Sequence, residues 1–314
     1  MKNKNGVSLI DAVFRKSAKL SVAMPFRFKK SESPAKAVRR VSRERISVAR
    51  ERLRDGGHSA VIHDVRREIK KLRAIFRLAR GESKRGKYRK SVKALREAAG
   101  YMAAPRDARV MLKAFEKLTG NDARWFAEVE KELRRHCRRE SRRFRENDFV
   151  ASADRILRKI ERRVGHLELK ASGWAAIEPG LKESYVHGQE AFAFARRKPL
   201  PENFHDWRKH VKTLWYYFQL LRPAWPSEMR AMTDELELLA GRLGEDHDLF
   251  LLEQFAMRHC AGWTTEAASL KRLIETREKE LRVEALKLGE RLYAETPGVL
   301  CRRLENYWNV WRGE

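Results

Sequence analysis

Beyond about Pro34 the apolar residues of this chain recur every three or four positions, and strict alternation over β-branched runs is nearly absent. The pattern predicts an all-α protein. Val65, Ile69, Leu72, Phe76 and Ala79 form one such apolar stripe, and Trp207, Val211, Leu214 and Phe218 form another. Breakers divide the helical stretches: "RDGG" near Asp55, "RGESKRG" near Gly81, "AAP" at Pro105, "LTGND" near Gly120, "ASGWAAIEPG" near Gly173, "RRKPLPEN" near Pro199, "RPAWPSE" near Pro223, "GRLGED" near Gly244 and "ETPG" near Pro297. Pro105 and Pro226 suit a first helical turn, and Asn121 and Thr264 can cap. On this reading Asp107 and Asp248 each open a helix, where they stabilise its positive end or pair with nearby arginines.

The polar positions of two of these helices are unusual. In "HDVRREIKKLR", continued to Arg77, residues His63, Arg66, Arg67, Lys70, Arg73 and Arg77 share one side, with Asp64 and Glu68 away from its centre. The stripe is about 20 Å long at about 1.5 Å per residue. "HDWRKHVKTLW" repeats the arrangement with His205, Arg208, Lys209 and Lys212, and sets Tyr216 on the basic side. The two belong to an internal repeat of about 140 residues. His63 aligns with His205, Asp64 with Asp206, Arg66 with Arg208, Arg67 with Lys209, Lys70 with Lys212, Leu72 with Leu214, and Asp107 with Asp248 after a one-residue adjustment. Each copy then carries a long charged helix and a shorter one. Duplication predicts two similar helical bundles in pseudo-symmetric contact, residues 34–172 and 173–314, behind a leader of unpredicted structure at 1–33.

Charge sharpens the question these stripes raise. The 314 residues carry 70 Lys and Arg against 43 Asp and Glu, a formal net charge of +27. Such an excess repels itself in a compact fold, so a polyanionic partner that neutralises it is expected. The three cysteines, Cys137, Cys260 and Cys301, form neither a disulfide framework nor a CxxC pair, which favours a reducing cytoplasm. Asp11 and Arg15 interrupt the only apolar run of the N-terminal stretch. No run approaches the roughly 18 uncharged apolar residues of a membrane span, so no membrane partner is expected.

A solvated helix face normally mixes signs so that i,i+4 pairs form. Two duplicated stripes of one sign instead suit a ligand lying between them. Arg grips two phosphate oxygens in a planar fork, and Lys adds a mobile point charge. A phosphate chain would also favour the cationic form of a terminal histidine, so binding should strengthen modestly as pH falls. The dipeptide His-Asp at His63, His205 and His247 invites a metal-dependent phosphohydrolase reading, but the surrounding Arg and Lys oppose a divalent cation. A phosphoacceptor histidine lacks an accompanying nucleotide loop. No complete catalytic constellation, metal site or cofactor motif emerges, which predicts a binding protein without catalysis. Nucleic acid is the second-choice partner, because neutralising phosphates does not by itself distinguish a duplex from another phosphate polymer. Single-strand binders interleave stacking aromatics with the cations, whereas Trp207, Trp215, Tyr217, Phe218 and Trp311 read as core at helical spacing. The runs "LRRHCRRESRRFR" and "LRKIERRV" read as solvated faces outside the site, and His136, His166 and His259 have no partner pattern.

"HDVRREIKKLR", "FHDWRKHVKTLWYYFQLL", "APRDARVML" and "RLGEDHDLFLL", in that spacing, together resemble the CHAD family, the conserved histidine α-helical domains. "GLKESYVHGQEAFAFA" is similar to the helix that precedes the family's second histidine. The resemblance runs from about Pro34 to the C-terminus and implies a single domain of two four-helix bundles related by an internal two-fold, with a basic central channel. It also implies binding of inorganic polyphosphate and an association with polyphosphate granules. Carried over by position, the ligand contacts are His63, Arg66, Arg67, Lys70, His205, Arg208, Lys209 and Lys212, and the stripe adds Arg73 and Arg77. Trp215 stands where a basic residue is common, and Val186, His187 and Gln189 stand where the family often has arginines.

Overall fold

The computed structural model describes residues 25–54, 59–80, 85–259 and 264–314, and these are helical almost throughout. The helices are α1 (Pro34–Arg54), α2 (Ser59–Leu78), α3 (Arg85–Gly100), α4 (Ala103–Thr119), α5 (Ala127–Glu146), α6 (Phe149–Gly165), α7 (Glu178–Arg197), α8 (Pro201–Leu221), α9 (Pro226–His259), α10 (Thr264–Leu292) and α11 (Pro297–Arg312). Short 3-10 turns at Gly120–Phe126 and Trp174–Ala176 precede α5 and α7. No strand occurs among the described residues. The predicted breakers at Asp55 and Gly81 lie largely outside the described residues, as do Cys260 and the capping side chain expected at Thr264.

Local chemistry accounts for most of the boundaries. α1 starts with Ser33, whose Oγ accepts from the Lys36 N–H at 3.4 Å, and with Pro34 at the first position. α4 stops at Gly120, which takes φ +49° as few residues with a Cβ would. Asn121 lies inside the following 3-10 turn and caps nothing there. α11 opens with Thr296 accepting from the Val299 N–H and closes on left-handed Gly313.

One predicted break is absent. α9 runs from Pro226 to His259 without interruption through "GRLGED", so Asp248 sits in the middle of a long helix and does not open one. A glycine inside a helix costs about 1 kcal/mol relative to alanine and does not by itself end it. Here Gly244 is buried under the guanidinium of Arg208, which would lie 3.1 Å from an added Cβ.

The buried apolar residues form three clusters, and α2 serves two of them. Val65, Ile69, Leu72 and Phe76 pack with α1, α3 and α6. Ala74, Ile75, Leu78 and Ala79 pack instead against α7, α8, the N-terminal part of α9, and α11. The third cluster joins α4 and α5 to the second half of α9 and the first half of α10, through residues such as Phe115, Leu133, Leu252 and Leu270. Two of the three clusters therefore draw side chains from both sides of residue 172. Each fully buried large apolar side chain contributes roughly 1.5–3 kcal/mol, and Trp207, Phe204, Tyr217 and Phe218 concentrate that contribution on α8.

Part of the stretch predicted as a leader joins this core. Phe28 is buried edge-on to Trp308, its N–H donates to the Leu220 carbonyl at 3.0 Å, and Glu32 holds Arg40 through both carboxylate oxygens. Residues 1–24 lie outside the described residues.

Candidate polyanion-binding site

With its apolar residues committed to two cores, α2 has one side left, and that side meets α8. The Arg77 Nη1–H donates to Thr213 Oγ1 at 3.0 Å, and a small cavity of about 90 Å³ between the helices is lined by Lys70, Arg73, Arg77, Arg208, Lys209, Lys212 and Tyr216. Helical spacing thus brings together the two stripes read from the sequence. Glu237 apart, the charges acting on the two central lysines are cationic. Burial, then Arg208, Arg106, Arg66 and Lys212, push the Lys70 ammonium down to about 7. Burial, then Arg208, bring Lys212 to about 8, where it lies over the Trp215 ring at 3.4 Å.

The arginines are held differently. Arg66 donates to the Ala99 carbonyl at 2.6 Å and so satisfies the C-terminal end of α3. Arg208 is pressed against Gly244, and its buried Nε has no hydrogen-bond partner within the protein. Burial works against its charge, Asp248 supports it and Arg106 opposes it. At the far end Asp64 and Glu68 do engage Arg67, at 3.3 and 3.6 Å, although the sequence set these carboxylates apart from the stripe. Glu68 is itself buried, 2% exposed, against equally buried Arg45 and against Lys71. Lys209 pairs with Asp206 at 3.2 Å and leaves the cluster partly neutralised there.

Two members of the site were not among the ligand contacts expected from the sequence: Arg106, which was not singled out at all, and His247, which was noted only as part of a His-Asp dipeptide. Arg106, near the start of α4, donates to Asp107 at 2.9 Å and to Asp248 of α9 at 3.2 Å, so both repeat-aligned aspartates pair with one arginine. Its charge acts on His63, Arg66, Lys70, His205, Arg208 and His247 alike, which puts it at the hub of the cluster. His247 lies with its ring centroid 3.8 Å from that of His205. Burial, then Lys209 and Arg208, hold His205 at about 4, and burial, then the adjoining His205 and after it Arg208 and Arg106, hold His247 at about 3, so both are neutral at physiological pH. His63 is also lowered, by burial and then Arg67. The repeat alignment carried the missing signal, because matching Asp107 to Asp248 also matches Arg106 to His247.

Of the family departures, Gln189 is structural, donating to the carbonyls of Tyr293 and Glu295. His187 lines a wider groove beside the cavity with His210. Trp207, Tyr217 and Phe218 are core, and Trp215 and Trp311 pack partly buried against it. Arg135, Arg138, Arg139, Arg142 and Arg145 of "LRRHCRRESRRFR" line a separate open groove with Arg109, and His136 packs with Phe255 and His259. Among the described residues no three His, Cys, Asp or Glu side chains gather in a way that could hold a metal, and no helix is long and apolar enough to cross a membrane.

Fold and site together define an all-helical protein whose cations converge on one cleft and are only partly offset by the aspartates and Glu68 around it. The sequence profile of the CHAD domain matches residues 38–256, most of the chain. This protein belongs to the CHAD domain family. Comparison with curated proteins finds no match.

Proposed function

We propose that the protein binds inorganic polyphosphate without turning it over, gripping the chain between α2 and α8. The carrying observation is the like-charge cluster of Lys70, Lys212, Arg66, Arg106 and Arg208, in which two lysines are driven towards their neutral forms. A run of phosphates adds counter-charge beyond what Asp107 and Asp248 supply. Arg208 offers a planar fork to phosphate oxygens, Lys70 and Lys212 offer point charges, Arg106 adds its charge from between Asp107 and Asp248, and His63 and His205 stand beside them. Family membership supports the same ligand, because polyphosphate binding is associated with the CHAD domain. The pairing of α2 with α8 as repeated units, a basic channel between two related halves, and a place in the cytoplasm at polyphosphate granules belong to this proposal. Nucleic acid ranks second because the aromatic rings around the cleft are buried in the core or covered by Lys212, leaving little for bases to stack on.

The test is Lys70→Met together with Lys212→Met. Removing two crowded cations should leave thermal stability equal or higher, while affinity for long-chain polyphosphate at physiological salt falls at least tenfold. The slope of log affinity against log salt should become shallower by about 1.5, taking roughly 0.7–0.9 per cation as in nucleic acids. Unchanged affinity would remove the site from this cleft. Equal displacement of bound polyphosphate by DNA at matched phosphate concentration would make the surface a generic polyanion binder.

A further inference from the structure

The cationic surface continues past the end of the α2 stripe. Arg77 and Thr213, hydrogen-bonded to one another, line the small central cavity and also a wider groove of about 560 Å³. On the far side of that contact the groove is walled by α3, which presents Arg89, Lys93 and Arg96. These residues are spaced i, i+4 and i+7, so they share one face. All three are exposed, while Val92 and Leu95 of the same helix are buried in the α1–α2–α3–α6 core. The face is therefore presented from a fixed helix. Glu183 is the one carboxylate among the described lining residues, and it is bonded to Arg80 at 2.7 Å. Arg77, Arg89, Lys93 and Arg96 are left facing the groove as an excess of positive charge.

We propose that the polyphosphate track leaves the central cleft at the Arg77–Thr213 contact and runs onto α3, so that Arg89, Lys93 and Arg96 form an outer subsite. The subsite engages only chains too long for the central cleft, and so makes the protein selective for long polymers. This proposal rests on the polyphosphate reading above. A short polyphosphate occupies the cleft, where the cations are most crowded, and never reaches α3. A longer chain neutralises both sets of cations at once, and each added contact tethers the next at high effective concentration.

The experiment compares the wild type, the α3 variant Arg89→Ser/Lys93→Ser/Arg96→Ser and the cleft variant Lys70→Met/Lys212→Met, each titrated with tripolyphosphate and with long-chain polyphosphate over a range of salt. The α3 variant should bind long chains at least tenfold more weakly, with a salt slope shallower by about 2, and bind tripolyphosphate within twofold of wild type. Its thermal midpoint should match the wild type, since none of the three side chains is buried. Long-chain affinity equal to wild type, or a matched loss for both ligands, overturns the outer subsite. If the cleft variant weakens both ligands and the α3 variant neither, the outer subsite alone falls. If the wild type retains no polyphosphate, or the cleft variant changes nothing, the polyphosphate reading fails and the subsite with it. A second measurement needs no variant, because wild-type salt slopes that are equal for the two ligands also refute the proposal.

Discussion

Binding of polyphosphate should draw protons onto the protein near neutral pH, and Lys70 should be the main acceptor. In the free cleft its ammonium is held at about 7 by burial and by Arg208, Arg106, Arg66 and Lys212. A phosphate chain beside it replaces repulsion with attraction and moves the group back towards its ordinary 10.5. At pH 8 the free lysine carries about 0.1 proton and the bound one nearly a full proton, so about 0.9 is taken up. Lys212, at about 8, adds about 0.5. The sign follows directly: the bound state holds more protons, so affinity falls as pH rises. Between pH 6 and 9 Lys70 alone weakens binding by about a hundredfold, close to 2.7 kcal/mol at 1.36 kcal/mol per pH decade, and Lys212 adds up to about tenfold.

Titration calorimetry in two buffers of different ionisation enthalpy at pH 8 reads this uptake as the slope of observed heat against buffer enthalpy. The expected value is about 1.4 protons per chain, using a long polymer whose internal phosphates do not titrate in this range. Lys70→Arg keeps the charge and removes the titration of that group, so its affinity should fall only by the share of Lys212, up to about tenfold between pH 6 and 9, and its proton uptake should drop to about 0.5. Wild-type binding with no proton uptake at pH 8 and no pH dependence would refute the reasoning. The cleft would then not be as crowded with charge as its geometry implies.

Two substitutions test the framework around the cleft. Glu68→Gln takes from the buried guanidinium of Arg45 its buried carboxylate and leaves it Glu44 at 3.9 Å, and a loss of up to about 3–5 kcal/mol is expected in denaturant unfolding; a loss under 1 kcal/mol would mean the pair is not closed off from water. Gly244→Ala should favour α9 by up to about 1 kcal/mol in helix propensity, yet its Cβ would press on Arg208 Nη2 at 3.1 Å. Polyphosphate affinity is expected to fall several-fold with the thermal midpoint unchanged or raised, and unaltered affinity would show that the packing of Arg208 on α9 does not set its position.

What could be read from the sequence was whatever a single helix decides. A period of 3.6 residues puts Lys70 beside Arg66 and Arg73 whatever surrounds the helix, so both stripes and the apolar residues opposite them were legible. Arg106 was not, because its role comes from reaching Asp248, which is 142 positions away in the chain and on another helix. The same limit hid the double duty of α2. Ile75 and Leu78 occur within one apolar-rich turn with Phe76, and only the arrival of α7 and α8 on the opposite side sends them into a different core. Gly244 misled in a related way, since locally it resembles a stop and the reason for it, Arg208, comes from α8.

The division of α2 between two cores also explains how a repulsive cluster survives in a folded protein. Cations of one sign brought this close would move apart if either helix were free to shift, yet Val65, Ile69 and Leu72 fix α2 on one side while Ile75, Leu78 and the aromatic residues of α8 fix it on the other. Apolar burial on both sides, at about 25 cal/mol per Å², therefore opposes an electrostatic strain that adds to burial in depressing the lysines and keeping the histidines neutral. Much of the driving force for binding is then present before the ligand arrives, because a polyanion removes a repulsion the fold already sustains. Weakening either core should consequently loosen the cleft and reduce affinity even where no phosphate contact is touched.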